Sequence, residues 1–222
     1  GMFPSESMDF AGPFAIFAVI NVIYGAFIVM RQTDLKRLVA FSSISHMGFV
    51  LLGFASVGND GSLNQLGLNG AALQLFSHGL VTGLLFIAVG LIYDRTHTRH
   101  IPDLGGLASR MPIIAICFLI AGLAALGLPS TSGFIAELLI LLGSFPSWGW
   151  ASGIVAFGVV LAAGYILWMT QRTLFGPRPN RYDQLKDASF VDALSMGVLL
   201  LPIMVIGLYP AILTEILSGG II

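Results

Sequence analysis

Residues 115–145 read AICFLIAGLAALGLPSTSGFIAELLILLGSF, inside an apolar run from about Met111 to Pro146. The run far exceeds the ~20 helical residues that cross a bilayer core. Its centre, Gly127-Leu128-Pro129-Ser130-Thr131-Ser132-Gly133, is a poor helix. Proline lacks a backbone donor and collides with the preceding turn, so the stretch predicts a membrane helix broken near Pro129. Broken backbone at membrane depth survives only inside protein or beside a water-filled cavity. One turn past the break stands Glu137, the single acid of the run. A charge at the bilayer centre costs on the order of 2.5–3.5 kcal/mol, and an acid beside a broken helix is the layout of an ion or proton site. The break makes a purely structural Glu137 the weaker reading.

The rest of the chain fits that setting. Of its 222 residues 56% are hydrophobic and 9% are charged, against about 25% charged in soluble domains. The expected fold is an all-α integral membrane protein. Six spans are predicted within a single membrane domain over residues 1–222: roughly 12–30, 37–56, 69–92, 111–145 (broken), 149–174 and 189–214. Pro202 should kink the sixth. The single cysteine, Cys117, lies within a span, so a disulfide framework is excluded and packing is its expected role. No cleavable signal segment is legible. The opening Gly1-Met2-Phe3-Pro4 reads as an internal loop, which leads us to expect a piece of a longer protein.

Charge gives an orientation. All ten Lys and Arg fall in the connections after spans one, three and five: Arg31, Lys36 and Arg37; Arg95, Arg99 and Arg110; Arg172, Arg178, Arg181 and Lys186. The connections ASVGNDGSLNQLGLNG and SFPSWGW have none. The positive-inside rule assigns the basic loops to the cytoplasm and both termini to the opposite face. Spread over three helix-flanking loops, these cations read as topology signals, not as a nucleic-acid surface.

Few ionisable groups remain at depth. His46 lies midway along span two with Ser42 one turn before it, and His78 lies in span three with Gln74 one turn before it. Histidine titrates near neutrality, and removal from water disfavours the charged form of an acid. Two histidines and Glu137 on neighbouring helices are therefore suitable stations for a proton relay. A histidine among Ser and Gln reads equally as an interhelical hydrogen-bonding residue. Lys36, at the start of span two, either reaches inward or snorkels to the headgroups. Asp192 and Glu215 fall near the ends of span six and read as interfacial, while Asn21 and Tyr24 form a small polar patch without assigned chemistry. No metal-ligand spacing is present, and His97 and His100 sit in a Pro-containing loop as solvated side chains. Nucleotide and phosphate-binding glycine loops, haem motifs and iron–sulfur cysteine patterns are absent from the sequence.

Three stretches carry a family resemblance. TDLKRLVAFSSISHMGFVLLG, LQLFSHGLVTGLLFIAVGLIYDRTHTRHIPDLGGL and LAALGLPSTSGFIAELLILLGSF resemble the antiporter-like subunits of respiratory complex I. The likeness is nearest to the subunit M branch of NADH:quinone oxidoreductase and extends to Mrp-type sodium/proton antiporters. Glu137, where other branches usually carry lysine, and the loop YDRTHTRHIPDLGGL favour the M branch. The resemblance implies fourteen transmembrane helices in two inverted five-helix repeats, of which this sequence would supply the second repeat and the final helix. It implies proton translocation across a bacterial plasma membrane or an equivalent energy-coupling membrane. Glu137 would then be the acid of the second broken helix and His78 and His46 histidines of a central polar axis. Lys36 matches the lysine of the DLKR motif and joins Glu137, His78 and His46 in the expected set of proton-relay residues. By the same resemblance this chain carries no cofactor. NAD, flavin and iron–sulfur clusters belong to partner subunits, and its own partners are other membrane-arm subunits and lipid. A cation/proton antiporter subunit of the Mrp type is the alternative.

Overall fold

A computed structural model describes residues 9–57, 62–177 and 179–221. Residues 1–4, the Gly58–Gly61 part of one connection and Arg178, all used in the sequence reading, lie outside them. The described chain is helical: α1 (Ala11–Met30), α2 (Leu35–Phe54), α3 (Gln65–Thr96), α4 (Pro112–Ala125), α5 (Ser132–Leu174), α6 (Phe190–Leu208) and α7 (Ala211–Ile221). Five of these, α1, α2, α3, α5 and α6, are long and apolar enough to cross a membrane. At 14 residues, α4 is too short to cross alone. It starts at the basic end and runs about 21 Å, short of the ~30 Å bilayer core.

The break covers residues 126–131. It turns through left-handed backbone at Gly127 (φ 75°) and Ser130 (φ 79°). Within it Leu128 N–H donates to Leu123 O, and the Thr131 hydroxyl donates to Leu128 O. The chain then resumes as α5, whose 43 residues would extend about 65 Å if straight. That is twice the ~30 Å bilayer core. The excess is resolved at Trp148, where non-helical torsions (φ −129°, ψ 46°) just after Pro146 fold α5 back on itself. The first arm completes the crossing that α4 began, and the second returns to the basic end.

The predicted span 189–214 is interrupted in the structure. Pro202 is accommodated inside α6, whereas Tyr209 leaves the helix (φ −135°, ψ 75°) before Pro210, and α7 begins at Ala211. A side chain at Gly207 would collide with the Ser130 carbonyl and the Thr131 Cα. The last crossing therefore lies directly on the backbone of the first break.

The connections segregate to two ends. At the basic end Leu35 N–H donates to Arg99 O, Ile101 N–H to Thr33 O, and Arg181 to Asp103 O. Arg95 pairs with Asp192 at 2.8 Å and also donates to the Lys186 and Asp187 carbonyls. Asp187 in turn accepts from Ile113 N–H and Ile114 N–H at the start of α4. At the other end Trp148 Nε1 donates to Ala55 O and the Ser147 hydroxyl to Val57 O.

Close helix crossings set the site. A Cβ at Gly25 would lie 2.7 Å from Ser45 N, and one at Gly48 would lie 2.8 Å from Ala18 O, so α1 and α2 touch on both sides of His46. Gly67 meets Gly143 backbone to backbone, and Gly70 lies against Ile140, drawing α3 onto the first arm of α5. Small residues allow this approach where lipid offers no hydrophobic gain from helix association.

Candidate functional site

These two crossings flank Glu137, in the second turn of α5 and only 6% exposed. Its carboxylate rests on the break: a Cβ at Gly127 would lie 2.6 Å from Glu137 Oε2. The other oxygen faces α2, where His46 Nδ1 stands 3.5 Å from Oε1. His46 is 4% exposed, and its Nε2 has no hydrogen-bond partner. The 3.5 Å separation slightly exceeds an ordinary N–H···O bond of roughly 2.7–3.2 Å. A small shift of either side chain, or one water, closes it. The pair is ionic when the imidazole is protonated.

His46 leads to His78 on α3. The two rings lie 5.3 Å apart between centroids and are tilted by 39°. His78 Nε2 meets the Ser43 hydroxyl at 3.0 Å, and the His78 carbonyl accepts from Thr82 at 2.6 Å. His78 is half-buried, so the series Glu137–His46–His78 runs from a sealed end to a more open one. Hydroxyls flank it. Ser77 and Ser132 share a hydrogen bond of 2.6 Å between α3 and the start of α5. Ser45 Oγ donates to Val22 O. The first N–H groups of α5 lack a side-chain cap.

The fold thus gathers Glu137, His46 and His78 into one polar seam. Lys36 stands apart. It is exposed at the first turn of α2, about 15 Å along the helix from His46. There it lines a cavity of about 460 Å³ with Phe86, Tyr93 and Arg99. His100 pairs with Asp103 at 3.1 Å in the basic-end loops, and His97 closes α3 with left-handed backbone. Among the described residues no group of three or more His, Cys, Asp or Glu is placed to hold a metal ion.

Two further polar side chains join the seam. Tyr165, on the second arm of α5, is buried, and its hydroxyl meets no partner at hydrogen-bond geometry although it lies beside Ser45 and within electrostatic reach of Glu137. In sequence Tyr165 sits in GYILWM and reads as one more membrane aromatic. Gln74 is also buried, with Oε1 unpartnered. The antiparallel contacts Gly70–Ile140 and Ser77–Ser132 put it level with Glu137. Unpartnered polar atoms at one buried locus suit ordered water.

Residues 2–163 match the family described as NADH:quinone oxidoreductase/Mrp antiporter, TM. The chain is 41% identical to a NAD(P)H-quinone oxidoreductase chain 4 from Synechococcus elongatus, across 97% of this chain and 40% of that one. It is 35% identical to NADH-quinone oxidoreductase subunit M of Rhodobacter capsulatus, across 99% and 42% respectively. The fold superposes on a chain of respiratory complex I from Thermus thermophilus with a TM-score of 0.87, at 30% identity, covering 96% of this chain and 44% of that one. The chain therefore spans about two fifths of the length of these curated relatives.

Proposed function

The chain belongs to the NADH:quinone oxidoreductase/Mrp antiporter membrane-subunit family, and on that premise we propose that it conducts protons through Glu137, His46 and His78 as part of a membrane-arm subunit of a complex I-like NADH:quinone oxidoreductase. The carrying observation is the geometry around Glu137. A carboxylate buried at a helix break faces one imidazole at 3.5 Å, which faces a second with ring centroids 5.3 Å away.

Each group performs a definite step. Glu137 releases or accepts a proton where the break opens the helix. His46 takes a proton at Nδ1 and presents its free Nε2 to water or to the next group. His78 passes charge toward the half-buried side, with Ser43 holding its ring. Net transport requires that hydration of the two ends alternate, so that a proton taken up on one side leaves on the other. Lys36 enters the proposal only as a cation at the basic end, whose field favours one charge state of the seam over another.

Electron transfer belongs to other subunits in this reading. NAD, flavin and iron–sulfur clusters are held by partners, and this chain supplies the proton path. The basic loops face the cytoplasm, with the Trp148 end on the other side of a plasma membrane or equivalent energy-coupling membrane.

The test is Glu137→Gln in the source organism, with the host complex purified, reconstituted in vesicles, and measured for electron transfer and proton uptake together. Lost pumping in an assembled complex is expected, and a normal proton-to-electron ratio would refute the assignment. The family description also includes Mrp antiporters, which supports a second reading as a cation/proton antiporter subunit. A native gel of source membranes separates the two. Co-migration with NADH- or ferredoxin-dependent dye reduction supports the first reading. A smaller band lacking it, with sodium-dependent proton exchange in vesicles, supports the second.

A further inference from the structure

We propose that the groove around Phe175, at the basic end of the bundle, binds an anionic phospholipid, with its phosphate at Arg172 and an acyl chain in the slot beside α4. The mouth is a cavity of about 720 Å³ bordered by Trp168, Gln171, Arg172, Phe175 and Gly105. Its described lining contains no acidic residue. The Arg172 guanidinium lies 4.5 Å from the centre of the Trp168 ring. That stacking fixes a planar cation at the mouth. Among the described residues no ion pair joins Arg172 to a carboxylate.

The groove does not end there. Phe175 and Gly176 continue from the mouth into a hollow beside Ala108. Ala108, Leu174 and Phe175 then open a slot of about 160 Å³ against Pro112, Ala115 and Leu119 of α4. The wall residues recur at one-turn spacing, so the slot follows α4 inward from the level of Arg172. A fixed cation beside a tryptophan, with an apolar slot along a membrane helix on the other side of Phe175, matches an amphiphile with a negative head. Aromatic side chains mark the headgroup level, and basic pockets on the cytoplasmic side select anionic lipid. A soluble anion would leave the slot unused, and a net negative head matches the Arg172 cation better than a zwitterionic one.

The test keeps the full chain in its own membrane. A photoreactive benzoylphenylalanine at Ile116, an exposed residue on the slot, is activated in membranes and the adducts on that peptide are identified by mass spectrometry. The expected result is anionic phospholipid, several-fold enriched over its share of the bulk lipid. Arg172→Gln should return the adducts to bulk composition, and Arg172→Lys, which keeps the charge but loses the stacked plane, should retain part of the enrichment. Arg172 is exposed, so neither change opens a cavity in the core. Adducts at bulk composition in the unaltered chain, enrichment that survives Arg172→Gln, or crosslinks to a neighbouring protein would each overturn the proposal. The unaltered chain alone already decides between the first of these outcomes and the expected one.

Discussion

Among the described residues the Glu137 carboxylate pairs with an imidazole and with no Lys or Arg, and it packs against the backbone of the break. Its position depends on Gly127, which has a left-handed φ of 75° and would carry a Cβ 2.6 Å from Glu137 Oε2. Gly127→Ala combines left-handed strain of about 1–2 kcal/mol with displacement of the carboxylate away from the break. The expected outcome is a lower melting temperature in detergent and a reduced proton-translocation rate at unchanged electron-transfer capacity. The histidines differ in exposure and should differ in effect. His46 is sealed between Glu137 and the α1–α2 crossing, so no water replaces it readily, whereas His78 is only half-buried. His78→Ala should slow translocation less than His46→Ala in the same vesicle assay. Full translocation in the double variant would return both to interhelical hydrogen bonding alone.

Elements transmit these positions. The half-helix α4 has its first N–H groups satisfied by Asp187, at 2.8 Å to Ile113 N and 3.3 Å to Ile114 N. Arg95 holds the same loop by donating to the Lys186 and Asp187 carbonyls. Loss of a helix cap costs typically about 1 kcal/mol. Asp187→Ala should therefore lower thermal stability by about that amount, with Asp187→Asn intermediate, read as unfolding midpoints in matched detergent. The crossing of α3 and α5 is less tolerant. Gly143 meets the Gly67 backbone, and the added methyl of Gly143→Ala must push the arm bearing Glu137 away from Gln74 and Ser77. Both stability and translocation should fall together in that variant, as measured by detergent melting and vesicle pumping. The break near Pro129 was legible because glycine, proline and three hydroxyl residues interrupt an apolar run. The interruption at Pro210 was not. Pro202 and Pro210 look alike in sequence, and only the contact of Gly207 with Ser130 and Thr131 reveals the depth at which the last crossing must yield.

Across the whole molecule the two ends differ in character. Hydrogen bonds tie the three basic connections into one layer, while Trp148 and Ser147 close the other end. Single cysteines at Ser109 and Ser147, exposed at opposite ends, should react with a membrane-impermeant maleimide from opposite sides, Ser109→Cys only from the cytoplasmic face. Buried Cys117 should stay silent. Labelling of both from one side would reject the orientation.

The sequence by itself determined the all-helical membrane class, the broken helix at Pro129, the clustering of basic loops, and the identity of three polar residues at depth. These follow from composition, hydropathy and backbone chemistry, which act locally along the chain. Only the tertiary structure decided that His46 faces Glu137, that Tyr165 and Gln74 share their locus, that Lys36 stands a full helix segment away, and that the last crossing rests on the break. In lipid every face of a helix is apolar, so periodicity does not reveal which face turns inward. That choice is made by backbone-to-backbone crossings at Gly25, Gly67, Gly143 and Gly207, each of which requires a partner far away in sequence.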